Sequence, residues 1–194
     1  MRDDISEMLV HFTKGKDWDE AYKNLVSIIS QFEVYGSNNK IKDGSRCVCF
    51  SEAPVSSLQN GLINHSLYSP YSPFGIITKK EYVFSLGGRP VIYQKEEEFD
   101  QLTEGNSWRH MRYEPPNIDF MWEREWRIKA DSFQITPEIC KIVVPNSEWA
   151  DRLICEHECE QKWQTIQFSQ IMDELLAMQY EEPFPWTIVT LQST

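Results

Sequence analysis

Phe120-Met121-Trp122-Glu123-Arg124-Glu125-Trp126-Arg127-Ile128-Lys129 is the stretch on which the reading of this chain turns. Apolar and polar side chains alternate along it, the pattern of a half-buried β-strand. On a strand, residues i and i+2 face the same side. The spacing therefore predicts Glu123, Glu125 and Arg127 on one face, with Trp122, Arg124 and Trp126 on the other. Paired carboxylates on one face are a usual way to set two acids of unequal strength beside one substrate, since neighbouring like charges push one pKa up. The plainer reading is a strand carrying cross-strand ion pairs, and the stretch by itself leaves both open.

Upstream, Leu9-Val10-His11-Phe12-Thr13 reads as a short strand with His11 and Thr13 on the face opposite Phe12. Asp17 then offers a helix cap, and Ala21, Leu25, Ile28, Ile29 and Phe32 follow at helical spacing, so a helix ending near residues 31–33 is predicted. A loop at Gly36-Ser37-Asn38-Asn39-Lys40 leads into the β-rich run Arg46-Cys47-Val48-Cys49-Phe50-Ser51. Its C-x-C has no second pair at zinc-like spacing and reads as buried free thiols. The prolines and aromatics of Tyr68-Ser69-Pro70-Tyr71-Ser72-Pro73-Phe74-Gly75 make a rigid loop before a strand at Ile76-Ile77-Thr78. A short helix over 79–85 follows, then a Gly87-Gly88-Arg89-Pro90 turn, whose lone Gly-Gly is too weak to be a phosphate loop.

Beyond the Glu-x-Glu stretch, Ile139 to Pro145 is a β-strand by alternation and branching, and Trp149 to Ile154 a short helix. Cys155-Glu156-His157-Glu158-Cys159 carries metal-binding residue types, and on a strand its Cys, His and Cys would share a face. Zinc sites, however, separate ligands by two or more residues and need a fourth partner, so no metal is assigned. A helix over Phe168 to Tyr180 and a strand over Trp186 to Leu191 close the chain.

The 194 residues suit a single domain over residues 1–194. The net charge of -11 and pI near 4.8 disfavour broad non-specific nucleic-acid binding. Arg109, Arg112, Arg124 and Arg127 leave room for one local basic groove. No apolar run approaches the roughly 20 residues of a membrane span, and Met1-Arg2-Asp3-Asp4 is too acidic to open a signal peptide. Five irregularly spaced cysteines argue against a secreted disulfide framework, so a cytoplasmic chain with reduced thiols and no membrane partner is expected.

Three segments taken in order carry a resemblance over roughly residues 9 to 130. They are His11-Phe12-Thr13 before a helix with Asn24-Leu25-x-x-Ile28-Ile29, then Val48-Cys49-Phe50-Ser51-Glu52, then Trp122-Glu123-Arg124-Glu125-Trp126-Arg127. Together they resemble the abortive-infection family typified by AbiGi, a phage-resistance and antitoxin family, and more distantly the ADP-ribosyltransferase toxins of the DarT type. The resemblance implies an α+β fold in which a bent, split mixed sheet flanked by helices clasps NAD as substrate. It implies that His11 contacts the adenosine ribose with Thr13 beside it, that Phe50 and Ser51 line the nicotinamide pocket, and that Glu125 is the catalytic acid with Glu123 upstream of it. Arg89 or Arg46 would meet the pyrophosphate. DarT-type enzymes carry an arginine just after the second strand, where this chain has Ser51-Glu52-Ala53-Pro54.

Two functions of different class follow. One is an NAD-consuming, ADP-ribosyltransferase-like enzyme acting in phage defence or as a toxin. The other is a non-catalytic antitoxin, immunity or sensor module on the same fold, whose partner would be a cognate toxin or antitoxin or a phage protein. A metal nuclease built on Glu123 and Glu125 is a weaker third, because Arg127 stands where a nuclease motif has lysine.

Overall fold

The computed structural model describes residues 6–52 and 72–191. Its backbone begins with β1 (Met8–Phe12), which runs through the middle of the main sheet. Asp17 then caps α1 (Trp18–Gln31), its carboxylate accepting from the Glu20 amide at 2.8 Å. Ala21, Tyr22 and Leu25 of α1 are buried against the sheet, so the helical period seen in the sequence is the period of its core face.

Among the described residues the remaining strands are β2 (Glu33–Tyr35), β3 (Cys47–Ser51), β4 (Gly75–Lys79), β5 (Arg89–Pro90), β6 (Ile92–Gln94), β7 (His110–Arg112), β8 (Glu125–Lys129), β9 (Ser132–Gln134), β10 (Cys140–Val144) and β11 (Ile188–Thr190). Three further helices among the described residues are α2 (Lys80–Ser85), α3 (Ser147–Phe168) and α4 (Glu174–Met178). Among the described residues the main sheet runs β11-β10-β4-β1-β3-β8-β5, and β2-β9 and β6-β7 form two smaller ribbons. In the main sheet the pairings are antiparallel except β10 with β11, so the chain is α+β with a mixed sheet flanked by helices.

One face of the sheet packs Leu9, Val48, Phe50, Ile76 and Ile142 beneath α1, and Trp18, Phe74 and Trp149 add edge-on ring contacts there. Val10, Phe12, Ile77, Val143 and Leu191 form a second cluster. At Gly75 a Cβ would run into the carbonyl of His11, so glycine is what lets β4 close on β1 beside the candidate site.

Three sequence expectations need correction. The strand across Glu123 begins only at Glu125: Met121–Glu123 is a 3-10 turn, and Arg124 has the left-handed φ of 43°. The predicted face shared by Glu123, Glu125 and Arg127 is therefore broken between the two acids. Cys155 to Cys159 is helical, not extended, because it continues the helix predicted to stop at Ile154. Its two cysteines stand one turn apart while His157 turns away to the Glu182 carbonyl at 2.9 Å. The helix expected over Phe168 to Tyr180 is confined to α4, after α3 ends at Phe168. The first half of the proline-aromatic loop, residues 68–71, lies outside the described residues. Among the described residues no helix is long and apolar enough to cross a membrane.

Candidate functional site

Strand register explains why residues from three distant stretches meet. β3 lies between β1 and β8, and Ser51 is opposite Val10 on one side and Glu125 on the other. That alignment gathers the ends of all three strands. Val10, His11, Phe12, Lys14, Cys49, Phe50, Ser51, Glu123 and Glu125 line one small cavity of about 60 Å³. It adjoins a wider one of about 390 Å³, whose walls include His11, Thr13, Lys14, Asn24, Tyr35, Ser37, Asn39, Lys40 and Cys49. His11 and Lys14 belong to both linings. The wider space is within the range of ligand pockets, and the narrow one admits only a small group.

His11 is fixed by its ring. Its Nδ1 lies 2.8 Å from the Cys49 carbonyl, and a carbonyl only accepts, so Nδ1 carries the hydrogen and Nε2 is left as an acceptor. Burial lowers its pKa, outweighing the carbonyl bond that favours the protonated ring, and Lys14 lowers it further. A neutral histidine is the result. Phe50 stands edge-on to it with ring centroids 6.0 Å apart.

Glu125 and Arg127 are neighbours along one face of β8, as the alternation predicted. Arg127 Nε donates to Glu125 Oε1 at 2.7 Å and Nη2 to Oε2 at 3.3 Å, a fork on a carboxylate. Nη1 donates at 2.8 Å to both the Trp108 and His110 carbonyls. Arg127 is 1% exposed, so the pair is a buried, internally neutral unit that ties β8 to the chain leading into β7. Burial pushes the neighbouring Cys49 thiol up, and the Glu125 charge adds to the effect. This thiol is a poor nucleophile.

Glu123 arrives by a different route. It is buried at the end of the 3-10 turn, and Ser51 Oγ donates to its carbonyl at 2.7 Å. Tyr93 braces the same turn from β6: its hydroxyl donates to the Phe120 carbonyl at 3.3 Å and accepts from the Glu125 amide at 3.2 Å. Burial raises that phenol to about 12. A left-handed non-glycine such as Arg124 costs on the order of 1 kcal/mol, and here it swings the Glu123 side chain onto the cavity that Glu125 also reaches.

The predicted site residues thus divide. His11, Phe50, Ser51, Glu123 and Glu125 share the narrow cavity, and Thr13 lines the wider one. Thr13 Oγ1 is committed to the Ala21 and Phe74 carbonyls at 3.0 and 3.2 Å. Arg89 lies across β8 on the edge strand β5, over the Phe84 ring, donating to the Phe84 and Gly88 carbonyls; it lines neither cavity. Arg46, the other candidate for the pyrophosphate, donates to the Gly36 carbonyl and lines neither cavity.

Sequence reasoning missed Lys14, Tyr93 and Glu52. Glu52 follows β3 directly, and its carboxylate accepts from Lys80 Nζ and Trp126 Nε1, both at 2.7 Å. Its position in the Phe50-Ser51-Glu52 run was the available signal; nothing local marked Tyr93. Among the described residues no group of three or more His, Cys, Asp or Glu side chains is arranged to hold a metal ion. No protein-family model, curated protein or solved structure matches the chain.

Proposed function

We propose that this chain is an NAD-consuming, ADP-ribosyltransferase-like enzyme serving in phage defence or as a toxin, on an ADP-ribosyltransferase-like bent sheet. The observation that carries the reading is the meeting of His11, Phe50, Ser51, Glu123 and Glu125 around one cavity, although 40 to 114 positions separate His11 from Ser51 and Glu125. In this reading the adenosine half of NAD occupies the wider compartment and His11 Nε2 accepts from its ribose. Phe50 and Ser51 bound the nicotinamide end, with Glu125 against the nicotinamide ribose.

The chemistry follows from those places. The bond from the ribose C1′ to the nicotinamide nitrogen breaks, both electrons leave with the nicotinamide, and an oxocarbenium-like centre develops. Glu125, held in place by Arg127 before any ligand arrives, stabilises that positive charge. Glu123 takes the proton of the attacking hydroxyl or water as its oxygen bonds to C1′.

The test is nicotinamide release from NAD by the purified chain, alone and with cell lysate as a source of acceptors. Glu123→Gln and Glu125→Gln are expected to lower release by about 10²-fold or more while NAD binding by calorimetry persists. Glu123→Gln is the cleaner variant because it leaves the buried Arg127 pair whole. A folded wild-type chain that neither binds nor consumes NAD overturns the proposal.

A second reading, the non-catalytic antitoxin, immunity or sensor module, is favoured by one observation: both oxygens of Glu125 are already occupied by the Arg127 fork. NAD binding without turnover by the wild type would select it.

A further inference from the structure

Helix α3 spans 22 residues, about 33 Å at 1.5 Å per residue, yet Leu153 is its only buried residue. Its second half leaves the core and forms a hairpin with α4. The returning chain is stitched alongside α3 by the Glu182 amide donating to Gln161 and by Thr165 Oγ1 donating to Glu181 at 2.8 Å. This hairpin reverses the usual placement of side chains. Trp163 and Ile166, one turn apart on α3, are exposed, and so are Ile171, Leu175, Leu176 and Met178 at the tip and on α4. Ile171 is 80% and Leu175 73% exposed. Apolar side chains gathered in this way, rimmed by polar ones, mark interaction surfaces.

The charge of the segment says what kind of surface. Between Ser147 and Glu182 there are nine acidic and two basic residues, which supplies seven of the eleven net negative charges of the chain. A second copy docking face to face would set acid against acid, and an anionic membrane would be repelled in the same way. From this combination we infer that the α3–α4 hairpin is a docking surface for a basic, amphipathic helical segment of another protein. Apolar residues of that segment cover Trp163, Ile166 and Leu175, and its lysines or arginines meet exposed acids of the hairpin such as Glu160, Asp173 and Glu182. The inference is independent of the NAD reading, since these residues line neither of the cavities at the candidate site.

The experiment titrates synthetic peptides into the full chain. The probe is an amphipathic helix of about 18 leucines and lysines with its apolar residues on one stripe. Its controls are a scrambled peptide of the same composition and a leucine–glutamate counterpart. The ordered basic peptide is expected to bind, with affinity falling roughly tenfold on going to high salt. Trp163→Ser with Leu175→Ser should cut its affinity at least tenfold while the circular dichroism of the chain is unchanged. Equal binding by that double variant, or by the scrambled or acidic peptide, overturns the inference. So does a concentration-dependent dimer that the double variant abolishes, or flotation of the wild type with phosphatidylcholine–phosphatidylglycerol vesicles.

Discussion

The end of β8 and the α3–α4 hairpin break the same rule in opposite directions. At β8 a guanidinium and a carboxylate are taken out of water; on the hairpin Ile171 and Leu175 are left in it. Each arrangement is costly for folding alone. A buried ion pair seldom outdoes a well-packed apolar pair of the same volume, and exposed leucines forgo their burial energy. The comparison teaches that the two regions are shaped by different demands. At β8 the polar groups are locked to one another and to backbone carbonyls, which sets geometry. On the hairpin the polar groups hold its two arms together while Trp163, Ile166, Ile171 and Leu175 stay exposed, which suits a surface that is covered when something binds.

The sharpest way to break this contrast is Arg127→Ala. It leaves the Glu125 charge buried without its partner and strips a donor from the Trp108 and His110 carbonyls. A loss of about 3–5 kcal/mol is expected in urea unfolding. A loss under about 1 kcal/mol would show that water reaches this pair and that β8 is no more locked than the hairpin.

A smaller effect concerns His11, whose pKa burial holds below its ordinary 6.5. The unfolded chain then binds a proton more readily than the folded one as pH falls through 6.5, so the contribution is fully present above that pH and is lost below it. The urea midpoint of the wild type should fall between pH 7 and 5 more steeply than that of His11→Gln. Parallel profiles would mean that the His11 ring meets solvent freely.

The smallest effect should be on the hairpin. Trp163→Ser with Leu175→Ser is expected to change stability by no more than about 0.5 kcal/mol, since exposed positions carry little folding energy. A loss of several kcal/mol would place these side chains in the core and erase the contrast.

Much of the fold was legible because local signals agreed with tertiary ones. The Asp17 cap, the apolar stripe of α1, the β-rich run of β3 and the β-branched strand β10 stand at the expected residues. Convergence of His11, Ser51 and Glu125 was legible only through the resemblance, since register between distant strands leaves no mark in a single stretch. Two features were hidden for definite reasons. Arg124 is a non-glycine in the left-handed region, which no composition signal announces, so alternation alone carries the strand back to Trp122, three residues before its start at Glu125. The extent of α3 is obscured because the apolar residues of its second half, Trp163 and Ile166, serve no core; Cys155, His157 and Cys159 alternate as a strand would, while Leu153 and Trp149 pack the first half and Asn146 caps it.

One topological detail bears on how a load on the hairpin would be carried. β10 and β11, which precede and follow it, are parallel neighbours paired at Ile142–Ile188, Val143–Val189 and Val144–Thr190. The hairpin is thus anchored at both feet on adjacent, paired strands. A load on the hairpin therefore reaches β10 and β11 at opposite ends of their three paired rungs. The force then passes through β10 and β4 to β1, the strand that carries His11.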